Sequence, residues 1–486
     1  MSDSVRVERV NEVFMKVHCD DGLARDLYDF FSYTVPNAKF MPSVKNRFWD
    51  GKVRLFSIKT HQIYIGLLPY VDEFCRERGY DFDGLGILNV IGAPEFTHPQ
   101  AFLDHLNLPE HITPRDYQME AWEESIKYGR QLLLSPTASG KSLIIYMLCE
   151  WYGRIAPHHE KGRRGVKKMV IIVPTTALVE QMYKDFKEYG YKGQMCKIYS
   201  GQKVFDAPIT ITTWQSLSRA PKKTIESFDM VVGDEAHLFK AQMLKGILEK
   251  MKKTAVRFGT TGTLDGSEVH RLQLEGMFGP CKKVISSSEL MEDGTIANLS
   301  IDCVILRHTK QKKMSYQEEM DYLVSCDSRN DFLCNLVYSL KGNTLILFQF
   351  VEKHGEILHK KMFSKLGKKL HYVYGGTDTL DREEVRSIVE KNKDHVILAS
   401  YGTFSTGVNI KRIDNIIFAS PSKSRIRNLQ SIGRGLRKTD DKDSMRLFDI
   451  ADDLQNKNYT LNHLKDRINI YNEENFVYQI KQFDLK

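Results

Sequence analysis

A lysine and a serine stand at the start of a predicted helix in the stretch SPTASGKSLIIYML, residues 135–148. The stretch follows the short apolar run QLLLS (131–135), which is typical of a buried strand. Small residues before Lys141 let backbone N–H groups approach an anion, and the helix N-terminus adds positive potential. The pattern predicts a phosphate-binding loop in which Lys141 contacts the terminal phosphates and Ser142 binds Mg²⁺. A chance helix cap is the alternative, because Ser135 stands where the first glycine of the pattern belongs.

A pair of acidic residues follows another apolar run, MVVGDE, at residues 230–235. At the end of a buried strand, Asp234 can bind Mg²⁺ while Glu235 orients and deprotonates the attacking water, as the acidic motif of a P-loop ATPase does. Two acids after a strand can also be nothing more than a solvated loop. Their occurrence together with Lys141 favours the catalytic interpretation.

Two arginines in the later stretch QSIGRGLR, residues 430–437, are three positions apart. On a helix that spacing puts Arg434 and Arg437 on one face, where they can stabilise charge on the γ-phosphate of ATP. A solvated surface helix is the alternative. It is disfavoured because Gly433 and Gly435 cost helix stability, and a merely solvated helix gains nothing from them.

The elements that must position these residues alternate along the chain, with short apolar runs between longer helical patterns. Short runs rich in Val and Ile are typical of strands buried on both faces. The first series comprises QLLLS (131–135), MVIIVP (169–174), ITITT (209–213), MVVGDE (230–235) and RFGTTGT (257–263). The second comprises TLILFQF (344–350), LHYVYGG (370–376), HVILAS (395–400), NIIFAS (415–420) and MRLFDIA (445–451).

Each series predicts an α/β domain with a mainly parallel sheet. The first part of the chain differs: the amphipathic segment LARDLYDFF is followed by the strand-like KVRLFSI (52–58) and QIYIGLL (62–68), which predicts a small α+β domain. The predicted domains are an accessory nucleic-acid-binding domain over 1–110, a first ATPase domain over 111–280, a linker and the beginning of the second domain over 281–330, the second ATPase domain over 331–455, and a C-terminal helical tail over 456–486.

The composition bounds the class of protein. The chain has 486 residues and a hydrophobic content of 42%, enough for several packed domains. No apolar run approaches the ~18 to 20 residues of a membrane-spanning helix, and the N-terminal MSDSVRVERVNEVF lacks the pattern of a secretory signal, so we expect a cytoplasmic protein. Eight scattered cysteines predict structural thiols in a reducing compartment. The whole chain has a net charge of +8. Residues 1–110 carry 12 Lys+Arg against 16 Asp+Glu, a net charge of −4, so the remaining residues carry a net charge of +12, which suggests a polyanionic partner.

Taken in order, these motifs resemble those of the superfamily-two helicases, with a DEAH-type box at Asp234 to His237. Further stretches fit the same pattern, namely RDYQ (115–118), VPTTALVEQ (173–181), ITTWQSL (211–217), TTGT (260–263), LILFQF (345–350) and ASYGTFSTGVNI (399–410). The resemblance implies two RecA-like domains in tandem, with ATP bound between them. The chain departs from the family at Ala138, where Gly is usual, and at Asn409, where Asp is frequent.

The resemblance also implies roles for individual residues. The residues expected to bind ATP, besides Lys141 and Ser142, are Arg115, Gln118, Ser135, Pro136, Thr137, Ala138, Ser139, Gly140 and Gly407, with Gln118 reading the adenine base. The residues expected to couple hydrolysis to domain movement are His237, Thr261, Thr263 and Gln430. Those expected to contact nucleic acid are Pro174, Thr175, Thr213 and Gln215.

The resemblance extends into the N-terminal domain, where it is to the recombination helicases of T-even bacteriophages. It implies ATP- and Mg²⁺-dependent remodelling of branched DNA, including fork regression and Holliday-junction branch migration, and unwinding of RNA–DNA hybrids in R-loops. It also implies action on duplex and single-stranded DNA in recombination, repair and replication, in the cytoplasm of the infected bacterium. We expect a monomer, with single-strand-binding or recombination proteins as partners.

A basic stretch in the acidic N-terminal domain, residues 38–59, has a net charge of +5 and carries aromatic residues between its cations. Cations can bind phosphates while an exposed ring stacks on a base. The predicted nucleic-acid contacts there are Lys45, Arg47, Trp49, Lys52 and Arg54. With equal weight, Phe48, Trp49 and Phe56 can belong to the core. A second basic loop, residues 153–168, fits a flexible solvated connection better than a DNA contact.

Two other functions stay open on the residues alone. A P-loop ATPase of another kind, such as a transporter or a ring motor, explains Lys141 and Glu235 but not a second sheet domain with QSIGRGLR. A nucleic-acid-binding or annealing module with a decayed ATPase requires a lost catalytic group, and none is missing.

Overall fold

The computed structural model describes residues 4–36, 38–84, 99–155, 166–199, 201, 206–240, 242–403, 410, 412–420, 424–438 and 442–485; the side chains of residues 154, 155, 240, 379, 425–427 and 434 fall outside that description. The chain divides into two compact units, residues 1–135 with 140–284, and residues 285–486 with 136–139. Among the described residues, no helix is both long enough and apolar enough to cross a membrane. All eight cysteines are free thiols.

The first unit begins with a small α+β domain that contains two sheets. Its strands are β1 (Ser4–Arg9), β2 (Phe14–His18), β3 (Ser32–Thr34), β4 (Lys52–Arg54), β5 (Gln62–Tyr64) and β6 (Asp81–Asp83), and its helices are Asp21–Phe30, Pro42–Lys45 and Leu68–Arg78. Four strands form one sheet in the order β5-β2-β1-β6, while β3 and β4 form a separate antiparallel ribbon. Alternate residues of β1 and β2, such as Val5 and Val17, are buried, which directs one face of the sheet to the core.

A seven-stranded parallel sheet forms the rest of the first unit. Its strands are β7 (Arg130–Leu134), β8 (Met169–Val173), β9 (Met195–Ile198), β10 (Ile209–Thr213), β11 (Met230–Asp234), β12 (Val256–Thr261) and β13 (Cys281–Lys283), in the spatial order β13-β7-β12-β11-β8-β10-β9. The helices are Pro99–Leu106, Asp116–Tyr128, Lys141–Glu150, Thr176–Glu188, Trp214–Ser218, Lys222–Ile225, Gln242–Lys250 and Glu268–Phe278. The central strands are buried on both faces, as their continuous apolar sequences predict.

The small N-terminal sheet shares one hydrophobic core with the larger sheet of this unit. Tyr64 and Tyr70 donate hydrogen bonds from their hydroxyls to the carboxylates of Glu249 and Glu275, both at 2.5 Å. A Cβ on Gly66 would lie 2.0 Å from the carbonyl oxygen of Glu275, so only glycine fits this contact. The first domain is therefore packed against the second rather than tethered to it.

The predicted domain boundary at residue 110 lies after a helix that packs with the larger sheet. The helix Pro99–Leu106 lies in the core of the larger sheet, where the ring of Phe102 stacks on Trp122 with centroids 4.0 Å apart. Both rings are buried. The ring contact joins residues 20 positions apart, and composition alone did not indicate it.

The second unit is built on another seven-stranded parallel sheet. Its strands are β14 (Asn298–Arg307), β15 (Thr344–Phe348), β16 (Leu370–Val373), β17 (Val396–Ser400), β18 (Asn415–Phe418), β19 (Ser444–Asp453) and β20 (Tyr478–Asp484), in the spatial order β16-β17-β15-β18-β19-β14-β20. The helices are Ser287–Glu292, Tyr316–Ser325, Asp327–Ser339, Glu356–Leu366, Thr379–Lys391, Arg425–Gly435 and Tyr459–Glu473. The predicted class, two parallel-sheet α/β domains with a small N-terminal α+β domain, is confirmed.

Two segments hold more structure than the sequence predicted. Residues 281–330, predicted as a linker and the beginning of the second domain, include β13 of the first sheet and β14, which lies between β19 and β20 of the second. The predicted helical tail, 456–486, forms the helix Tyr459–Glu473 and then β20, an edge strand. β20 interleaves polar residues with apolar ones and so does not resemble the continuous apolar runs of the central strands. β14 does contain an apolar run, residues 303–306, which was not predicted to be a strand.

The C-terminal helix is joined to the second sheet by a buried ion pair. Arg467 contacts Asp449 of β19 through Nε to Oδ2 and Nη2 to Oδ1, each at 2.8 Å. The hydroxyl of Tyr471 donates to the same carboxylate at 2.8 Å. Both members of the ion pair are fully buried. Losing the guanidinium would leave a desolvated carboxylate with one hydroxyl donor, which is far costlier than losing an exposed pair.

We predict that Arg467→Met destabilises the second unit by about 3–5 kcal/mol. Hydrogen exchange of β19 peptides under increasing urea measures the stability of the second unit. Tryptophan fluorescence would not, because all four tryptophans lie in the first unit. Lys465→Met, at an exposed position of the same helix, is the matched control and should change stability by less than about 0.5 kcal/mol. Equal effects of the two substitutions would show that the buried pair does not hold the helix.

Candidate ATP site and nucleic-acid surface

The carboxyl ends of the first sheet's strands meet along one edge, because its strands run parallel. The predicted site residues at that edge are Ser135 after β7, Pro174 after β8, Thr213 at the end of β10, Asp234 at the end of β11 and Thr261 at the end of β12. The sheet therefore gathers residues that are far apart in sequence. Ligands of open α/β sheets bind at this edge.

The loop between β7 and the helix Lys141–Glu150 is held in an unusual backbone conformation. Ala138 and Gly140 both have positive φ, 68° and 77°. The positive φ favours glycine at Gly140, and a Cβ there would lie 2.3 Å from Nε2 of Gln118, whose side chain would have to move. Ala138 adopts the left-handed conformation without being glycine, at a cost of about 1 kcal/mol.

Lys141 and Ser142, the first residues of that helix, are both engaged by neighbouring groups. The ammonium of Lys141 donates to the carbonyl of Ser135 at 3.2 Å, and the backbone N–H of Ser135 donates to the carbonyl of Thr261 at 2.8 Å. The Ser142 hydroxyl lies 2.7 Å from the hydroxyl of Tyr189. Burial raises the pKa of Tyr189 to about 12, so this phenol stays protonated at neutral pH.

The acidic pair lies at the carboxyl end of β11, where Asp234 is buried. Burial and the adjacent Glu235 raise the pKa of Asp234, while Lys141 and the Thr260 hydroxyl act to lower it. That hydroxyl donates to Oδ1 of Asp234 at 2.8 Å. Glu235 itself has φ 52°, a left-handed conformation that is strained for a residue other than glycine.

This arrangement fits a magnesium ion. Mg²⁺ prefers carboxylate and hydroxyl oxygens, which Asp234 and Ser142 provide. The raised pKa of Asp234 means that its carboxylate lacks sufficient compensating charge in the protein alone. A divalent cation would supply that charge.

A hydrogen-bonded chain connects the acidic motif to the end of β12. Nδ1 of His237 lies 2.9 Å from the Thr261 hydroxyl and 3.3 Å from the carboxylate of Glu235. Because the Thr261 hydroxyl donates to the carbonyl of Thr263 at 2.9 Å, it accepts its hydrogen bond from His237. The carbonyl of His237 accepts from Nε2 of His270 at 3.0 Å. Three of the residues predicted to couple hydrolysis to movement are thus in contact.

Gln118 is buried beneath the phosphate-binding loop. Its Oε1 accepts from the backbone N–H of Arg115 at 2.9 Å, and its Nε2 reaches the carbonyl of Gly140 at 3.5 Å. The guanidinium of Arg115 donates to the Tyr117 hydroxyl at 3.0 Å. The side chain predicted to read adenine therefore also supports the start of the next helix and the loop.

Three further predicted site residues lie in the second unit. Gln430, Arg434 and Arg437 lie in and just after the helix Arg425–Gly435, and Arg437 is partly buried. The side chain of Arg434 and all of Gly407 fall outside the described residues. So does Asn409, as does most of the basic loop 153–168.

The threonines predicted to contact nucleic acid begin two helices at neighbouring strand ends. The hydroxyl of Thr175 accepts from the backbone N–H of Leu178 at 3.3 Å, and that of Thr213 accepts from Ser216 at 3.4 Å. Both are N-caps. Pro174 is partly buried and Gln215 is exposed.

The basic stretch of the N-terminal domain presents one aromatic ring to solvent and keeps another in the core. Phe48 is 86% exposed and Phe56 only 2%. The partly buried Trp49 donates from Nε1 to the carbonyl of Lys52 at 2.8 Å. Arg54 is paired with Asp50 and holds the pKa of that carboxyl down to about 2. The exposed cations beside Phe48 that form no ion pair in the described structure are Lys45, Arg47 and Lys52.

Three residues that act on the site were missed by the sequence analysis, namely Tyr189, Thr260 and His270. Each contacts a predicted residue across a long sequence separation, so neither periodicity nor spacing pointed to it. Thr260 was inside the quoted TTGT stretch, but nothing there indicated that its hydroxyl faces Asp234.

Comparison with known proteins decides the family. The chain is 31% identical over 502 residues to the ATP-dependent DNA helicase uvsW of Enterobacteria phage T4, an alignment that covers 97% of this chain and 98% of that protein. The chain belongs to the UvsW family of ATP-dependent DNA helicases. Family sequence profiles match at residues 5–83 (DNA helicase UvsW, N-terminal), 111–266 (Type III restriction enzyme, res subunit) and 328–439 (Helicase conserved C-terminal domain).

Solved structures of this helicase family and of more distant proteins share the fold. The crystal structure of T4 UvsW superposes with a TM-score of 0.51 at 29% identity, over 99% of this chain and 100% of that one. A fragment of a putative HsdR subunit of a type I restriction enzyme from Vibrio vulnificus YJ016 superposes with a TM-score of 0.58 at 18% identity, over 85% and 74% of the two chains. The superfamily-two assignment is confirmed: the chain is an ATP-dependent helicase and binds nucleic acid.

We predict that Gly140→Ala weakens ATP binding by at least about tenfold, because the added methyl group strains the backbone and displaces Gln118. Titration with a fluorescent ATP analogue measures the affinity. Gly246→Ala is the matched control, since a Cβ there meets nothing within 4 Å. In the control the affinity should be unchanged and the helix Gln242–Lys250 stabilised by up to about 1 kcal/mol. Wild-type affinity in Gly140→Ala would contradict the assignment of this loop.

Proposed function

We propose that this helicase uses ATP hydrolysis to remodel branched nucleic acids in recombination, repair and replication control. The proposed substrates are regressing forks, migrating Holliday junctions and the RNA–DNA hybrids of R-loops, acted on in the cytoplasm of an infected bacterium by a monomer that has single-strand-binding or recombination proteins as partners. The observation that carries the proposal is an exposed aromatic ring, Phe48, among cations in a domain separate from the ATPase motifs. A surface of this kind can bind DNA through its cations and its ring, and ATP hydrolysis itself does not require such a surface.

The chemistry proposed at the first sheet follows from the positions of Lys141 and Glu235. Lys141 binds the terminal phosphate oxygens at the helix N-terminus. Glu235 orients a water and takes its proton as the water oxygen attacks the γ-phosphorus. The bond from that phosphorus to the bridging oxygen breaks, which releases ADP and inorganic phosphate. Asp234 and Ser142 would hold Mg²⁺, which when bound supplies positive charge to the phosphate oxygens.

Arg434 and Arg437 are proposed to stabilise the charge that develops on the γ-phosphate. The sequence predicts both arginines on one helix, but the helix Arg425–Gly435 ends before Arg437, which forms a β-bridge with Ile296. The proposal therefore rests on the motif and on the short distance along the chain between the two residues, not on a shared helix face. The chain from Glu235 through His237 and Thr261 is proposed to report the state of the phosphate to the rest of the domain. Closure on ATP and opening after release would then alternate the grip on the nucleic-acid backbone.

The N-terminal surface is proposed to bind the duplex or branched part of the substrate. Lys45, Arg47 and Lys52 are placed to neutralise phosphates, while Phe48 stacks on an exposed base at a junction. The helix-capping residues Thr175 and Thr213, together with Pro174 and Gln215, are proposed to contact the strand along which the motor moves.

We predict that Lys141→Ala abolishes DNA-stimulated ATP hydrolysis, reducing kcat by at least about 10²-fold, and leaves folding and most DNA binding intact. Phosphate release in the presence and absence of forked DNA measures this. Lys184→Ala, at an exposed lysine of the first unit, is the matched control and should hydrolyse ATP at the wild-type rate. Normal turnover in Lys141→Ala would remove the ATP site from this loop.

We predict that Phe48→Ala weakens binding to forked DNA by about 1–3 kcal/mol, the usual contribution of one stacked base. Point substitution is preferable to deletion of the domain, because deletion would uncover the hydrophobic core shared with the larger sheet. Phe363→Ala, at a ring 55% exposed in the second unit, is the control. Lys45→Ala should lower the slope of log affinity against log salt by about 1. Unchanged fork affinity and salt slope in both N-terminal variants would exclude this surface.

A further inference from the structure

A buried lysine, Lys442, binds the end of the helix Arg425–Gly435, which carries Arg434, and the main chain of Arg437 just after it. Lys442 is 3% exposed, and its ammonium donates to the carbonyl of Gly435 and, at 3.3 Å, to the carbonyl of Arg437. Lysine is almost never buried without compensation, because the ammonium loses its hydration. Here the carbonyl of Gly435, the last residue of the helix, and the carbonyl of Arg437 just beyond it provide that compensation, and a helix end carries partial negative charge.

The same end of the helix is held on two further sides. The carbonyl of Leu436 accepts from the backbone N–H of Ala297 at 2.8 Å, and Arg437 forms a β-bridge with Ile296. A Cβ on Gly435 would lie 2.1 Å from the sulfur of Met445, so the helix approaches β19 as closely as a glycine allows. The buried side chain of Lys442 adds a third contact to this end of the helix.

We infer that Lys442 is a positioning residue for the arginine pair, fixing the end of the helix that carries Arg434 and the main chain of Arg437. The inference rests on the proposed role of those arginines in ATP hydrolysis. Lys442 itself is buried and acts through the carbonyls it binds. Its removal should therefore slow the chemical step while ATP binding at the first unit persists.

The charges around Lys442 make its contribution depend on pH. Burial lowers its pKa to about 8, against the attraction of Asp414. Other charged groups of the same segments are Arg437, whose carbonyl Lys442 binds, Lys438, which pairs with Asp443 at 3.4 Å, and Arg446, which pairs with Asp302 at 2.8 Å. Between pH 8 and the ordinary lysine value of 10.5, the unfolded chain binds more protons than the folded one, so folding stability from this group rises with pH. Over the same interval the Lys442 ammonium, which binds the end of the helix, loses its positive charge.

The test compares Lys442→Met with Lys438→Met in DNA-stimulated ATP hydrolysis. Lys438 is the matched control, because it also donates to a carbonyl, that of Gly294 at 3.4 Å, but is exposed. We expect Lys442→Met to lower kcat by about tenfold to a hundredfold, with KM for ATP changed less than about twofold, since small misplacements of catalytic groups reduce rate rather than binding. Lys442→Gln, which keeps N–H donors, should recover part of the loss.

The pH profile separates positioning from simple stabilisation. Wild-type and Lys438→Met kcat should fall as pH rises above 8 while hydrogen-exchange stability of the second unit does not fall, and Lys442→Met should lack this decline in kcat. Parallel changes in rate and stability would overturn the inference, as would wild-type kcat in Lys442→Met.

A double variant distinguishes failure of this inference from failure of the proposed function. If Lys442 acts through Arg437, then Lys442→Met added to Arg437→Ala should lower kcat little further. A full additive loss would overturn the positioning role alone. Wild-type kcat in Arg437→Ala would instead overturn the proposed role of the arginine, and the inference with it.

Discussion

A carboxylate buried at the end of a strand is the constraint on which the proposed ATP site depends. Asp234 is desolvated and stands next to a second acid, Glu235, so the fold must bring positive charge and hydrogen-bond donors to it. The first sheet does this by starting a helix with Lys141 after β7, two strands from β11, and by directing the hydroxyl of Thr260, on the intervening β12, at Asp234. The strained backbone at Ala138 and Glu235 is the local cost of that arrangement.

The same constraint extends outward through the first unit. His237 joins the acidic motif to Thr261, and its carbonyl is held by His270 on the helix Glu268–Phe278. That helix also carries Glu275, which accepts a hydrogen bond from Tyr70 of the N-terminal domain. One helix therefore contacts both the hydrolysis motif and the domain whose basic surface is proposed to bind DNA. This gives a physical connection between the two that a flexible tether would lack.

How much the sequence predicts depends on whether a feature is local. Each run of the two apolar series coincides with a strand, because a continuous apolar run is a local pattern. The small residues before Lys141 are also a local pattern, and their phosphate-binding role stays a prediction. Tyr189, which contacts Ser142, and Lys442, which binds the end of the arginine helix, were not, because their partners are set by tertiary packing. The sequence left the exposure of Phe48 open for the same reason, since Phe56 lies in the same basic stretch and is buried.

A divalent cation is proposed to neutralise the buried carboxylate of Asp234 when nucleotide binds. The affinity for a fluorescent ATP analogue, measured with Mg²⁺ and with EDTA in the wild type and in Asp234→Asn, tests this. We expect Mg²⁺ to tighten binding to the wild type and this gain largely to disappear in Asp234→Asn, with affinity in EDTA no weaker than that of the wild type. The same gain from Mg²⁺ in both proteins would contradict it.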